Sequence, residues 1–277
     1  MQRVCAHLQD KCPALRVGTF GRSLCGRALW ALSMGQGESV LVAAAFHGQE
    51  WISTYVALRL AEDLCAEGTL PCRVVIVPSV NPDGVEIALH GAATAGRYAN
   101  LVLEAAHRAH PENPTLADWN ANARGVDLNH DYDAGWQTLR ALETAAGITA
   151  PAPRRYGGTA PASEPETQAL IRLTRRLDPV RVVALHSQGE EIYWQYGGVD
   201  VSGAENLARA FAQASGYKLV ENDGLASHGG YKDWFIQEYT RPGFTLELGK
   251  GQNPLPLADF AQVYERAREM LLLATKC

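Results

Sequence analysis

The sequence lacks the features that would assign it to a membrane, secreted or nucleic-acid-binding class. No apolar run approaches the roughly 18 residues of a membrane span, and residues 1–10 lack the apolar core of a secretory signal. There is no stripe of basic residues, and the net charge is −5, so neither nucleic acid nor membrane is expected as a partner. No internal repeat or low-complexity segment indicates a solenoid or a disordered chain.

The cysteines also lack a pattern, because none of them forms a CxxC pair. A chain of 277 residues can bury a large core, so it does not need disulfides to fold. We therefore expect mostly reduced thiols and a cytoplasmic protein. The six cysteines are Cys5, Cys12, Cys25, Cys65, Cys72 and Cys277.

Apolar runs and helical patterns alternate along the chain, and this alternation predicts an α/β fold. Four apolar runs are typical of strands covered on both faces, at residues 40–46, 73–77, 182–185 and 244–248. Helical patterns occupy residues 51–65, 163–177, 203–215 and 258–274, and a capping box of Ser163 and Glu166 opens the second. The expected architecture is an α/β sandwich with a mostly parallel or mixed sheet.

The stretch from residue 90 to residue 122 has weaker periodicity and leaves two interpretations open. It is either a helix with a long loop at the rim of a cleft or a linker between two domains. We prefer a single catalytic domain over residues 1–277, because the candidate metal ligands lie in both halves of the chain.

His47, Glu50 and His186 form a candidate metal site. His47 and Glu50 follow the apolar run at residues 40–46, and His186 follows the run at residues 182–185. Open α/β sheets bind ligands at the carboxyl ends of their strands, where these side chains are expected. Three ligands of this type leave a fourth position for water, which is the arrangement of catalytic zinc.

The HxxE spacing alone is weak evidence for a metal. Such a pair also occurs where a helix begins with a solvated glutamate, and by itself the spacing favours that interpretation. Glu104 and His107 have the same separation on a probable helix. A di-metal bundle needs a second copy of that box, and the sequence contains none. We therefore interpret His107 and His110 as exposed histidines.

Most of the chain resembles the zinc carboxypeptidases, and within them the bacterial γ-D-glutamyl-diaminopimelate peptidases. The resemblance implies a zinc-carboxypeptidase-like α/β/α sandwich with a mixed central sheet, and one Zn²⁺ per chain held by His47, Glu50 and His186. Six ordered motifs are together far more specific than any one of them. They are FHGQE at 46–50, NPDG at 81–84, NARGVDLN at 122–129, HSQGE at 186–190, GYKDWF at 230–235 and PGFTLELG at 242–249.

The resemblance also implies roles for three polar residues. Glu247, inside an apolar run where a carboxylate is costly, matches the general base and acid of the family. Arg124 is expected in the cleft, where it would stabilise the oxyanion or bind a substrate carboxylate. Asn129 matches a position that helps to hold a substrate carboxylate. Asp127 is expected either to orient a metal-binding histidine or to serve a structural turn.

Specificity is expected to depart from that of ordinary carboxypeptidases. His130 stands where they have the arginine that binds a C-terminal carboxylate, and histidine is only partly charged at neutral pH. Lys232 falls at the base of the side-chain pocket and would favour an anionic group. Leu225 occupies the register of the family's mobile tyrosine, and Tyr231 is the candidate to replace that tyrosine.

These observations predict a zinc peptidase that cuts the γ-D-glutamyl–diaminopimelate bond of peptidoglycan stem peptides. Diaminopimelate carries a carboxylate next to an amine at the end of its side chain, which suits Lys232. The main alternative is a carboxypeptidase that releases ordinary C-terminal residues. A zinc amidase acting on small N-acyl amino acids and a non-catalytic binder of peptidoglycan fragments are further alternatives.

Overall fold

A mixed sheet of eight strands forms the centre of the structure, a computed structural model that describes residues 1–220 and 228–277. The strands are β1 (Arg16–Arg22), β2 (Ala28–Met34), β3 (Ser39–Ala44), β4 (Arg73–Val77), β5 (Arg181–His186), β6 (Glu191–Tyr193), β7 (Lys218–Val220) and β8 (Gly243–Glu247). Their spatial order is β1-β2-β4-β3-β5-β8-β6-β7. The four central strands β4, β3, β5 and β8 run parallel, and antiparallel partners flank them on both sides.

Helices cover both faces of this sheet. They are α1 (Gln2–Lys11), α2 (Ile52–Glu67), α3 (Pro82–His90), α4 (Ala99–Ala109), α5 (Trp136–Ala145), α6 (Pro165–Leu177), α7 (Ala204–Ser215), α8 (Tyr231–Tyr239) and α9 (Phe260–Ala274). Alternate residues of β3 face opposite layers, since Val42 packs in the core with α2 and α9, while Leu41 packs in the core with α6 and α8. The predicted α/β/α sandwich with a mixed sheet is confirmed.

The central strands are buried along their whole length, as their continuous apolar sequences predict. Every residue of β3 and of β5 is buried. Strand β5 lies between β3 and β8, and its last residue, His186, is the register partner of Glu247. On the other side of β8, Glu247 is paired with Glu191. The strand pairing therefore places His186, Glu247 and Glu191 next to one another, where β5 and β8 end.

The start of α6 differs from the predicted capping box. Its N-cap is Glu164 instead of Ser163, and no side chain caps the helix there. Ser163 Oγ donates to the carboxylates of Asp131 and Glu164, while Glu166 accepts a hydrogen bond from the Leu24 backbone. Long-range partners therefore satisfy both residues, so the local capping box does not form.

Two disulfides contradict the expectation of mostly reduced thiols. Cys12 at the end of α1 is bonded to Cys65 in α2, with a Cα–Cα distance of 5.9 Å. Cys72 is bonded to Cys277, with a Cα–Cα distance of 6.0 Å. Both separations lie within the range that a disulfide requires. Spacing in the sequence cannot show these pairs, because residues 53 and 205 positions apart meet only in the folded chain.

The helices in the described ranges are too short or too polar to cross a lipid bilayer.

Candidate active site

The turn after β3 carries the first two candidate ligands. His47 is followed by a single 3-10 turn, Gly48–Glu50, that leads into α2. The backbone N–H of Gly48 donates to the carbonyl of Asn120 over 3.0 Å. A Cβ at position 48 would lie 2.6 Å from the carbonyl oxygen of Trp119 and closer still to that of Gly84. Only glycine fits this crowded turn, and the turn aims His47 and Glu50 at the same point.

His47, Glu50 and His186 converge as the sequence predicts. Glu50 Oε1 lies 2.8 Å from His47 Nδ1, and Glu50 Oε2 lies 3.0 Å from His186 Nδ1. One donor atom from each residue lies within 4.8 Å of the other two. Two imidazole nitrogens and a carboxylate form a zinc donor set that leaves a fourth position open. Among the described residues, no other histidine, cysteine or carboxylate group of three converges in this way.

The electrostatics of these three residues suit a cation. Burial would raise the pKa of Glu50, but His47 and His186 lower it to about 2. Burial would lower the pKa of His47, but the carboxylates of Glu50 and Asp127 raise it well above its ordinary value. The group therefore has a fixed negative charge at its centre, with an imidazole on each side.

Asp127 orients His47. Its Oδ1 lies 3.0 Å from Nε2 of His47, on the ring edge opposite the Nδ1 that faces Glu50. The backbone N–H groups of Asn129 and Arg155 donate to the same carboxylate, over 3.1 and 2.8 Å. Burial would raise the pKa of Asp127, but His47, His130 and these donors hold it far below its usual range. A carboxylate on the outer nitrogen of a metal-binding histidine fixes its tautomer and ring orientation.

Glu247 lies beside the candidate metal group. It ends β8 next to His186 of β5, and both residues line a cavity of about 170 Å³ together with His47. Burial, with the nearby carboxylates of Glu50 and Glu191, raises the pKa of Glu247 well above its ordinary value. A carboxyl group with a raised pKa beside a metal-binding group is suited to general acid–base chemistry.

The same cavity brings together most of the predicted site residues. Its lining includes His47, His186, Glu247, Asn129, His130 and Lys232. It also includes residues that the sequence reasoning missed, namely Tyr193, His228, Asp233 and Thr245. Tyr193 and Thr245 are register partners on β6 and β8, so only strand pairing reveals them. Asp233 had a sequence signal, since it is a second charged residue next to Lys232.

Arg124 does not reach this cavity, which corrects its predicted place in the cleft. Its guanidinium donates to the buried carboxylate of Glu164 over 3.2 Å from Nε and 3.0 Å from Nη2. The preceding turn directs it there, because Asn122 Oδ1 accepts the Arg124 backbone N–H and Gly125 adopts a φ of +72°. Arg124 therefore forms an ion pair with the N-cap residue of α6.

The expectation that Tyr231 replaces the mobile tyrosine is also wrong. The side chain is fully buried, and its hydroxyl lies 2.8 Å from Thr174 Oγ1. Its ring packs against Phe46 and Trp234. Tyr231 therefore belongs to the core under the site and cannot replace a mobile tyrosine. Leu225, at the register of that tyrosine, lies outside the described residues.

His130 lies at the cavity wall and faces a buried carboxylate. Its Nδ1 lies 3.0 Å from Oε1 of buried Glu143 and 3.2 Å from the carbonyl oxygen of Arg155. Burial would lower the pKa of His130, but Asp127 and Glu143 raise it above the ordinary value. His130 therefore carries more charge at neutral pH than the sequence alone suggests. Its neighbour Asn129 accepts the backbone N–H of Tyr231, which ties α8 to the cavity.

Lys232 is buried at the cavity but is not a free cation. Its Nζ donates to the backbone carbonyl of Gln195 over 2.6 Å and forms an ion pair with the carboxylate of Asp233. The expectation of a lone positive charge in the pocket is therefore wrong. Lys232 and Asp233 together carry no net charge.

Glu104 and His107 lie on α4 as predicted, and both are exposed. His110 is exposed too and lies 3.3 Å from Asp118. The alternative metal box therefore has no third donor among the described residues.

Comparison with known proteins places this arrangement in a family. The profile described as zinc carboxypeptidase matches residues 1–270. The γ-D-glutamyl-L-diamino acid endopeptidase 1 of Lysinibacillus sphaericus is 34% identical over 96% of this chain and 68% of its own length. Murein peptide amidase A of Escherichia coli K12 is 30% identical over 78% of this chain and 74% of its own. The carboxypeptidase A of Helicoverpa armigera shares the fold, with a TM-score of 0.74, 20% identity, and coverage of 98% and 70%.

Proposed function

The chain belongs to the zinc carboxypeptidase family, a family of zinc-dependent peptide hydrolases, and on that premise we propose that it hydrolyses the γ-D-glutamyl–diaminopimelate bond of peptidoglycan stem peptides. One observation carries the catalytic part of the proposal. His47 and His186 of the convergent His–Glu–His group line one cavity together with the protonatable Glu247. We also propose that residues 1–277 act as one catalytic domain, since the site draws on residues from 47 to 247.

The proposed metal ligands are His47, Glu50 and His186. Zinc bound there supplies a Lewis acid that polarises the scissile carbonyl and makes a water molecule more acidic. Asp127 keeps His47 oriented, with its Nδ1 towards Glu50. The chain therefore presents the donor atoms in a fixed arrangement before any substrate enters.

Glu247 is proposed as the general base and then the general acid. Its carboxylate accepts the proton of the attacking water and passes it to the leaving amine as the amide bond breaks. The products are a new carboxylate on the γ-D-glutamyl side and a free amine on the diaminopimelate side. Arg124 has no part in this step, because its guanidinium is paired with Glu164 outside the cavity.

The choice of bond is supported by the names of the relatives and by the charges in the cavity. An endopeptidase for γ-D-glutamyl-L-diamino acids and a murein peptide amidase are among the similar proteins. His130, whose pKa is raised by Asp127 and Glu143, is placed to bind a substrate carboxylate together with Asn129. A single imidazole N–H cannot form the two-pronged contact of arginine, so ordinary C-terminal carboxylates are held less well.

The two disulfides bear on where the enzyme is proposed to act. The expected cytoplasmic location depended on reduced thiols, and two cysteine pairs are bonded. Disulfides persist in oxidising environments and are rare in the cytosol of mesophiles. We therefore propose that the enzyme acts in an oxidising compartment, on stem peptides present there.

The test is a digest of defined peptides by the zinc-loaded protein. We expect L-Ala-γ-D-Glu-diaminopimelate to release diaminopimelate, with little release of C-terminal residues from ordinary peptides. The reverse pattern would establish the carboxypeptidase alternative instead. Glu247→Gln should lower kcat by about 10²–10⁴-fold and keep the bound zinc, whereas Glu104→Gln, on the exposed face of α4, should keep both. An undiminished rate in Glu247→Gln would refute the catalytic assignment.

A further inference from the structure

Arg155 is an arginine near the catalytic cavity whose charge has no partner within the described part of the chain. Its side chain is exposed, and its guanidinium forms no hydrogen bond or ion pair with residues 1–220 or 228–277. Two nearby arginines are paired, Arg124 with Glu164 and Arg154 with Asp118. The guanidinium of Arg155 is therefore available to a ligand.

The backbone of Arg155 is held beside the candidate metal group. Its N–H donates to Oδ2 of Asp127 over 2.8 Å, and Oδ1 of the same carboxylate lies 3.0 Å from Nε2 of His47. Its carbonyl oxygen lies 3.2 Å from Nδ1 of His130, which lines the catalytic cavity. A single carboxylate thus separates the Arg155 backbone from a proposed metal ligand, so its side chain begins close to the site of hydrolysis.

The backbone at Arg155 also adopts a rare conformation. Its φ of +65° lies in the left-handed region, which residues with a Cβ seldom occupy. Hydrogen bonds hold the chain on both sides of this angle, because the Asp127 backbone N–H donates to the carbonyl of Tyr156 over 2.8 Å. Backbone strain of this kind is concentrated at sites that bind ligands. The direction in which the Arg155 side chain leaves the backbone is therefore fixed by the residue that orients His47.

Arg155 also lines a second cavity, of about 360 Å³, that has an excess of positive charge. Arg108, His110 and Arg154 lie in the same lining, and among the described residues Asp118 contributes its one carboxylate. An excess of one sign of charge raises the local concentration of ligands of the opposite sign. The surroundings of Arg155 therefore favour an anionic group.

The substrate of the proposed reaction carries a carboxylate on the acyl side of the scissile bond. A γ-linkage leaves the α-carboxylate of D-glutamate free, a short carbon chain away from the scissile carbonyl. His130 and Asn129 are proposed to bind one substrate carboxylate, and they leave this second one without a partner. The pKa values of Glu50 and Asp127 are lowered, so both are charged close to where it must lie. A carboxylate brought near these anions needs a cation of its own.

We propose that Arg155 binds the free α-carboxylate of the γ-linked D-glutamate and thereby selects glutamate over its amidated form, isoglutamine. A planar guanidinium can donate two parallel hydrogen bonds to a carboxylate, whereas an amide offers a single oxygen acceptor and no charge. This inference rests on the proposed function, because it names the residue that recognises the glutamyl side of the bond. Arg155 holds the substrate and does not touch the reacting atoms.

Amidating one carboxylate at a time tests the inference on the unaltered enzyme. The first peptide is L-Ala-γ-D-Glu-meso-diaminopimelate, and the other two carry an amide at the α-carboxylate of D-glutamate or at that of diaminopimelate. With the zinc-loaded enzyme, amidation of glutamate should lower kcat/KM about tenfold, mostly by raising KM. Equal kcat/KM for the first peptide and the glutamate amide would overturn this inference and leave the proposed function intact. Cleavage of none of the three would overturn the proposed function as well.

Three variants assign the preference to Arg155. Arg155→Gln should abolish the preference for glutamate over isoglutamine and should leave the effect of amidating diaminopimelate unchanged. Arg155→Lys keeps the charge but not the two-pronged contact, so it should retain part of the preference. Arg154→Gln is the matched control, since Arg154 is also exposed but is paired with Asp118, and it should keep the wild-type preference. If Arg155→Gln instead slows all three peptides by a common factor, the residue is only structural and the inference is refuted.

A second substitution covers the case in which Arg155→Gln fails to fold. Asparagine occupies the left-handed region more often than most residues with a Cβ, so Arg155→Asn should keep the fold at a φ of +65°. Urea unfolding should give it a midpoint close to that of the wild type, and it should cleave the glutamate and isoglutamine peptides equally well. A folded Arg155→Asn protein that keeps the wild-type preference would contradict the assignment.

Discussion

Removing each disulfide should destabilise the protein by an amount set by the loop that it closes. The perturbations are two double variants, Cys12→Ser/Cys65→Ser and Cys72→Ser/Cys277→Ser. The bonded cysteines are 53 and 205 positions apart. Loop-closure entropy in the unfolded chain gives a loss of about 4 kcal/mol for the shorter loop and about 5 kcal/mol for the longer one. The second variant should therefore be the less stable by roughly 1 kcal/mol.

Urea unfolding of protein purified without reductant measures these losses. Each double variant should have a lower unfolding midpoint than the wild type, and reductant should lower the wild-type midpoint towards that of the variants. Cys25→Ser is the matched control, because Cys25 is a half-buried free thiol. Its midpoint should change little and should keep the wild-type response to reductant.

A thiol titration provides the decisive result. The denatured, unreduced protein should show two free thiols, Cys5 and Cys25, out of the six cysteines of the sequence. Six reactive thiols would refute the disulfides, and the argument for an oxidising compartment would fall with them.

Three further predictions concern the frame of the site and the buried carboxyls. Asp127→Asn should weaken zinc binding about 10–100-fold in equilibrium dialysis, whereas Asp133→Asn, on an exposed side chain, should not. Gly48→Ala should lower the free energy of unfolding in urea by about 1–3 kcal/mol or more, because the new Cβ would meet backbone oxygens. Gly18→Ala is the control and should change it little, because a Cβ there meets no other atom. Burial raises the pKa of Glu166 from 4.5 to about 8, so the fold holds a proton that the unfolded chain releases. The free energy of unfolding should therefore fall as pH rises through this window, by up to about 1.4 kcal/mol per unit, and Glu166→Gln should flatten that slope. An unchanged slope would contradict the buried proton.

The metal group could be predicted from the sequence because each ligand is fixed locally. His47 and His186 stand at the ends of buried strands, and an apolar run reveals where such a strand ends. Glu247 drew attention as a charge inside an apolar run, and the family resemblance gave its expected role. In each case the signal lies within a few residues of the side chain concerned.

Partners distant in sequence could not be predicted. Arg124 is directed to Glu164, 40 positions away, by a turn whose direction no local pattern reveals. The pKa of His130 is raised by Asp127 and by Glu143 on α5, and Glu143 gave no signal of its own in the sequence. The pairing of Lys232 with Asp233 is local, but that both would be buried at the cavity depends on how α8 packs against the sheet. The sequence therefore predicted side-chain roles wrongly where the charge of a residue is balanced by a partner that only the fold brings close.

The strand register has a consequence for how this enzyme can change. His186 and Glu247 are direct partners on adjacent parallel strands, so their separation is the spacing of the sheet itself. Loop insertions elsewhere leave that spacing unaltered. A one-residue insertion within either strand would instead turn its side chain to the opposite face. Changes in the loops can therefore alter which substrates enter the cavity. The distance between His186 and Glu247 cannot change gradually, because any shift within a strand moves a side chain to the other face of the sheet.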